Sequence, residues 1–329
     1  MPLALPGETP RISVVVASHD RPLRLRWLLN ALEDQTLDRS QWEVVVGHDS
    51  AGPQTEELLR THPLAAAGVL RHVTLEPGTA PPGRNRNAAW RIARAPVIAF
   101  TDDDCRPPRD WLAQALAAAE RHPGAIVQGA TRPDEQELVI DKHAPHKHTQ
   151  RIWPPRPWAQ ACNIVYPKAV LERLGGFPED MYVGEDTALA EAAREAGVEY
   201  VGAGDVVTQH AVVETTLRGM LRGAWRWHGL PLLIKRHPRI RREFQLWIFW
   251  KRSHVWLPVA VAGTVLMKRS RFATLMLVPY AIHSVPNSHG PHPRGRIRAM
   301  AEWPGRIAID ATEFAALAYG SVKHRRLFL

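Results

Sequence analysis

Three consecutive carboxylates, Asp102-Asp103-Asp104, close the apolar run Val97-Ile98-Ala99-Phe100. The run reads as a strand, and on an extended backbone Asp102 and Asp104 project to the same face. Two carboxylates on one face at a strand's end suit a hard divalent cation, Mg2+ or Mn2+, and such a cation grips phosphate oxygens. A solvated acidic turn is the alternative for this segment taken alone. Other carboxylates recur in comparable places. Asp20 follows the β-branched run at 11–17, Asp49 follows Glu43–Val46, and Glu185-Asp186 open a helical stretch after Gly184.

The elements that must hold these groups alternate along the chain. Strands are predicted at 11–17, 43–46, 69–75, 96–100, 125–130, 161–166, 198–201 and 206–209, with helices at 23–32, 54–60, 85–93, 111–122, 167–174 and 185–196. Such alternation predicts an α/β fold, a mostly parallel twisted sheet with flanking helices. Ligands of these sheets sit beyond the carboxyl ends of the strands, so Asp20, Asp49, Asp102 and Asp104 are expected at one rim. The His- and Pro-rich stretch 131–158 reads as a long loop, and loops of that length are more often functional than idle.

Charge divides the chain. Residues 1–210 carry 22 Lys/Arg against 28 Asp/Glu, and residues 211–329 carry 20 against 5, giving −6 and +15. The expected organisation is therefore a catalytic domain over 1–210 and a helical, basic, Trp-rich C-terminal region over 211–329. Six of the twelve Trp lie in the latter. It also holds two apolar runs, Val255–Met267 and Phe272–Ile282, parted by Lys268, Arg269 and Arg271. Each is shorter than the roughly 20 residues of a spanning helix. They predict peripheral contact with an anionic membrane surface, with a soluble helical cap as the alternative. The opening residues show no basic stretch leading into a signal-type apolar run, so the catalytic part is expected to be cytoplasmic, at the inner face of the cell membrane. Only two cysteines, Cys105 and Cys162, argue against a disulfide framework or zinc cage. The basic region also admits a nucleic-acid partner, but the Trp-rich runs are too apolar for a phosphate-tracking arm and no docking motif is present, so none is expected.

Four stretches then carry a resemblance: Ile12–Pro22, the opening strand and turn; Glu43–Ser50, an acidic turn after the second strand; Gly83-Arg84-Asn85-Arg86-Asn87 followed by Val97–Asp104; and Gly175-Gly176-Phe177 followed by Gly184-Glu185-Asp186. In this order, over roughly residues 11–210, the chain resembles the family 2 glycosyltransferases of GT-A fold. His48 stands where family members usually carry an acid. The resemblance implies inverting, metal-dependent transfer of a sugar from a nucleotide-diphosphate donor to a hydroxyl of a glycan, lipid-linked or small-molecule acceptor. It implies Asp104 as direct metal ligand, Asp102 on the metal or ribose, and His210 completing the metal or diphosphate site. Asp49 would accept from the nucleobase, and Arg86 would contact the nucleotide or diphosphate. Asp20 would lie near the base or ribose, or else cap the Pro22 helix. Asp186 would be the general base, with Glu185 orienting acceptor or base, since a hydroxyl is a poor nucleophile until it loses its proton. Cys162 and Asn163 are expected to line the acceptor pocket, and Cys105 to fill core space. A nucleotidyltransferase on a similar sheet would need a glycine-rich loop after the first strand, and Ser18-His19-Asp20-Arg21-Pro22 contains no glycine.

Overall fold

Three successive valines, Val14 to Val16, sit within Ile12–Ser18 (β1), an inner strand of an eight-stranded sheet. The other strands are Trp42–His48 (β2), Leu70–Thr74 (β3), Val97–Asp102 (β4), Cys105–Arg106 (β5), Ile126–Pro133 (β6), Asn163–Pro167 (β7) and Tyr200–His210 (β8), ordered β3-β2-β1-β4-β7-β6-β8-β5. This computed structural model describes residues 9–78, 80–285 and 293–329. β1 and β2 are buried on both faces, which is why they read as near-continuous apolar runs rather than alternating ones. The block β3-β2-β1-β4 is parallel, as is β6 with β8, while β7 runs antiparallel to both neighbours and β5 antiparallel to β8. The sheet is thus mostly parallel, as expected.

Helices cover both faces. Pro22–Glu33 (α1) buries Leu25, Leu28, Leu29 and Leu32, an i, i+3, i+4, i+7 stripe, against one face. Pro53–Thr61 (α2) follows β2. Pro82–Ile92 (α3) brings Ala89 and Trp90 to the other face, beside Phe100, Phe177 and Leu189. Trp111–Arg121 (α4), Lys168–Leu174 (α5) and Glu185–Glu195 (α6) complete the set used below.

Two elements differ from expectation. The stretch 131–158 is partly ordered into structure: β6 runs on to Pro133, a 3-10 turn spans Glu135–Glu137, a helix spans Leu138–His143, and Ile152 bridges back to Thr131. The strands expected at 198–201 and 206–209 form one strand to His210, because Val207 to His210 resume pairing with β6 past a register shift at Gly129/Ala130. A Cβ on Gly129 would fall 2.3 Å from Asn163 Nδ2 and 2.4 Å from Val206 O, so the close approach at that shift requires glycine.

The chain divides into two compact units, one of residues up to His143 with His148–Val213, the other of Ala144–Lys147 with Glu214–Leu329. The second unit is helical and includes Arg252–Leu266 (α7), a 3-10 segment Arg271–Leu277, Val278–Ser284 (α8) and Pro293–His324 (α9). Among the described residues no helix is long and apolar enough to cross a membrane.

Candidate active site

β4 delivers Asp102 as its last residue, and the chain turns through Asp103-Asp104 into β5. β5 pairs Cys105 with His210 at the end of β8, and Ala211 N donates to Asp104 O at 2.9 Å. This folds the acidic turn against the histidine. Ligand atoms of Asp102, Asp104 and His210 all lie within 4.8 Å of one another. His210 Nδ1 is 2.9 Å from Ala211 O. A carbonyl only accepts, so Nδ1 carries a proton and Nε2 faces Asp104 Oδ1 at 3.4 Å. Two carboxylate oxygens and an oriented imidazole nitrogen converge there, a donor set that fits Mg2+ or Mn2+.

Arginines organise the remaining acids. Arg86, buried on α3, donates through NH2 to Asp102 Oδ1 and through NH1 to Glu185 Oε1, both at 2.8 Å. Its planar fork thereby ties the end of β4 to the start of α6. Burial would push the Asp102 carboxyl up, but Arg86, His210 and Arg21 hold it below the usual carboxylate range. Arg21, at the turn after β1, reaches Asp104 at 2.9 Å and Asp103 at 3.5 Å. Asp103 also accepts from Ser18 Oγ at 2.8 Å, yet burial and the neighbouring Asp104 push its carboxyl up to about 7.

Asp186 occupies the first turn of α6 behind Gly184, whose φ of 77° is in the left-handed region. Its Oδ1 accepts from Thr187 N at 2.7 Å. Burial, then the adjacent Glu185 charge, push its carboxyl up to about 7 despite Arg86 nearby. The turn leading here is bolted to α3. Asn87 Oδ1 accepts from Phe177 N at 2.9 Å, and its Nδ2 donates to Phe177 O at 2.8 Å. Gly176, at φ 82°, lies so close that a Cβ would fall 2.4 Å from Asn87 Oδ1.

The expected base-side residues are engaged within the protein. Asp49, buried, accepts from Asn85 Nδ2 at 2.8 Å and Ala80 N at 3.1 Å, with His19 Nδ1 at 3.0 Å. Asp20 has φ 49°, accepts from Ala51 N and donates its own N–H to Ser50 Oγ. It does not cap α1, whose N-cap is Arg21 with no side-chain cap bond. Buried His48 sits 3.2 Å from Glu56, and burial holds its imidazole below the usual range. Asn163 departs from its expected place in an acceptor pocket: 1% exposed, it donates to Ala130 O and Val206 O and accepts from Trp111 Nε1. Cys162 is likewise buried, against Cys105 and Ile152. The structure thus gathers Asp102, Asp104, His210, Arg86, Glu185 and Asp186, with Asp20 and Asp49 joined through the neighbouring β1 and β2 turns. Sequence reasoning passed over Arg21 and Asp103; the position of Arg21 between Asp20 and Pro22, after a rim strand, was the available signal.

A mostly parallel sheet whose strand ends gather acids around an arginine fork and a cation-ready corner defines a sugar transferase of the GT-A type. The model of glycosyl transferase family 2 matches residues 13–177, half of the chain, and the chain belongs to that family. It is similar to glycosyltransferase AglE of Haloferax volcanii, 22% identical over 210 residues that cover 61% of this chain and 67% of that protein. It is also similar to validoxylamine A glucosyltransferase of Streptomyces hygroscopicus, 26% identical over 231 residues, covering 59% of this chain and 54% of that one. Among solved structures, mannosyltransferase PcManGT of Pyrobaculum calidifontis, in complex with GDP-Man and Mn2+, shares the fold with a TM-score of 0.58 at 22% identity over 97% of this chain and 88% of that one. S. aureus TarS 1-349 in complex with UDP-GlcNAc has a TM-score of 0.52 at 15% identity, covering 96% and 92%.

Proposed function

We propose that this glycosyltransferase moves a sugar from a nucleotide-diphosphate donor to an acceptor hydroxyl with inversion at the anomeric carbon. Asp186 is the general base and the corner of Asp102, Asp104 and His210 holds Mg2+ or Mn2+. The observation that carries the reading is the Arg86 fork, which ties Asp102 at the end of β4 to Glu185 at the start of α6, beside Asp186. Asp102 is held ionised beside Arg86, while Asp186, beyond Glu185, is pushed up to about 7. A base poised near neutrality takes a hydroxyl proton efficiently at physiological pH. When bound, the cation supplies charge stabilisation to the departing diphosphate.

Asp186 removes the acceptor's proton as its oxygen bonds to the anomeric carbon and the carbon–oxygen bond to the diphosphate breaks. Glu185, fixed by Arg86, orients the acceptor or the base, and Arg86 in turn holds Glu185 to Asp102. Asp49 and Asp20 hold the nucleobase and ribose side, through the turns they already order. Catalysis resides in residues 1–210. The basic helical region 211–329 rests on an anionic membrane surface at the cytoplasmic face, where a lipid-linked or envelope glycan is the acceptor. The reading is tested by incubating the protein with a panel of nucleotide sugars, with Mn2+, Mg2+ or chelator, and measuring nucleoside diphosphate release. Release from one donor that stops with chelator is expected; equal release with chelator overturns the metal assignment.

A further inference from the structure

Residues 261–282 expose an apolar surface that nothing in the proposed chemistry uses. Val261, Val265, Leu266, Met267, Phe272, Leu275, Val278 and Ile282 are all exposed, Phe272 at 70% and Val265 and Leu275 at 65%. Exposed apolar side chains concentrated in one short segment mark a binding face rather than ordinary surface. The segment is built as a tight hairpin. α7 packs on the 3-10 segment Arg271–Leu277 at Gly263, where a Cβ would fall 2.8 Å from Met276 Cβ and 3.0 Å from Ala273 O. The bend carries Lys268, Arg269 and Arg271, all exposed. In the sequence no Asp or Glu occurs between Glu243 and Glu302.

These features select the occupant. A second copy of the chain docking face to face would set the three cations against their own counterparts. Anionic headgroups complement them, and acyl chains complement the apolar side chains around them. The 15 residues of α7 rise about 22 Å, short of the roughly 30 Å hydrocarbon core. A hairpin of this length enters one leaflet and does not cross two.

We infer that residues 261–282 form a shallow wedge lying in the headgroup–acyl boundary of an anionic leaflet, with Val265, Phe272 and Leu275 among the acyl chains and Lys268, Arg269 and Arg271 on the phosphates. This deepens, and rests on, the membrane-surface reading above. Lys and Arg stems lie along apolar surface while their heads stay with the phosphates, so the bend does not have to bury its charge.

The full chain is floated with vesicles of phosphatidylcholine alone or with about 30% phosphatidylglycerol, which sets the surface charge. Wild-type protein is expected to float with the anionic vesicles only. The triple variant Val265→Ser/Phe272→Ser/Leu275→Ser is expected to lose about tenfold or more in vesicle affinity. The triple variant Lys268→Gln/Arg269→Gln/Arg271→Gln is expected to lose about a hundredfold. Retained nucleoside diphosphate binding reports that both variants are folded. A Leu275→Cys variant carries an environment-sensitive dye selectively, since both native cysteines are buried, and a blue shift on anionic vesicles is expected. Wild-type flotation that survives in the apolar triple, with no dye shift, overturns the wedge and leaves surface association by other cations standing. Equal flotation on neutral and anionic vesicles overturns the headgroup contacts. No flotation with either vesicle overturns wedge and membrane reading together, while nucleotide-sugar turnover, measured separately, judges the catalytic reading.

Discussion

Glu43, buried, and Asp186, half-buried, are carboxylates at opposite ends of the first unit's sheet, and their surroundings treat them oppositely. Glu43, near the start of β2, accepts from Ser13 Oγ at 2.7 Å, Arg94 Nε at 2.9 Å and Arg71 NH1 at 3.2 Å. Burial pushes its carboxyl up, but the Arg94 backbone N–H, Ser13 and the Arg94 side chain bring it below the ordinary range. Asp186, at the rim, has its neighbour's backbone N–H and a like charge beside it, and rises to about 7. Where donors saturate the buried acid it staples strands; where they are withheld it is left able to exchange a proton.

Breaking the rim half of this comparison gives the largest effect. Asp186→Asn is expected to cut transfer about 10^3-fold with nucleotide affinity unchanged, measured by steady-state kinetics and calorimetry. In the wild type, transfer should rise as pH rises through about 7, because the base acts deprotonated. Next, Asp104→Ala should lower transfer about 10^2-fold and abolish the dependence of nucleoside diphosphate affinity on Mn2+.

Breaking the other half acts on stability. Glu43→Gln leaves Arg71 and Arg94 without their carboxylate and should cost about 2 kcal/mol in denaturant titration, with the pH–rate profile unmoved. The two acids should also show opposite pH linkage. Asp186 has its folded value raised above the ordinary 3.8 to about 7, so its stability contribution is full below that ordinary value and is lost as pH rises through about 7. Glu43 has its folded value lowered, so its contribution is present above the ordinary 4.5 and is lost as pH falls through the folded value. Asp186→Asn should therefore be more stable than wild type at pH 8, by about 1 kcal/mol or more, and lose that advantage at acid pH. The smallest effect is expected for Asp20→Asn, within about 0.5 kcal/mol of wild type, because Asn tolerates the left-handed backbone and can still accept from Ala51 N.

What was legible in the sequence follows from range. Valine runs and the Leu25–Leu32 stripe are local patterns, so sheet class and first helix could be read directly. Asp102–Asp104 and Glu185-Asp186 were visible because each follows a strand or opens a helix. The link between them was not, because Arg86 reaches a partner 99 positions away, and no local periodicity encodes such a pair. The same holds for Asn163, whose partners sit on β6, β8 and α4. The union of the stretches at 198–201 and 206–209 into one strand was not legible, because Gly202 and Gly204 lie between them and the pairing that spans them is with distant β6.

Arg86 and Asn87 are adjacent on α3, one holding Asp102 and Glu185, the other holding Phe177. The end of β4, the start of α6 and the Phe177 turn thus share a single mount. Asn87 Nδ2 also donates to Glu179 Oε1 at 2.9 Å, so the same helix holds the chain just past Phe177. A displacement of that helix would therefore carry Asp102, Glu185 and Phe177 together.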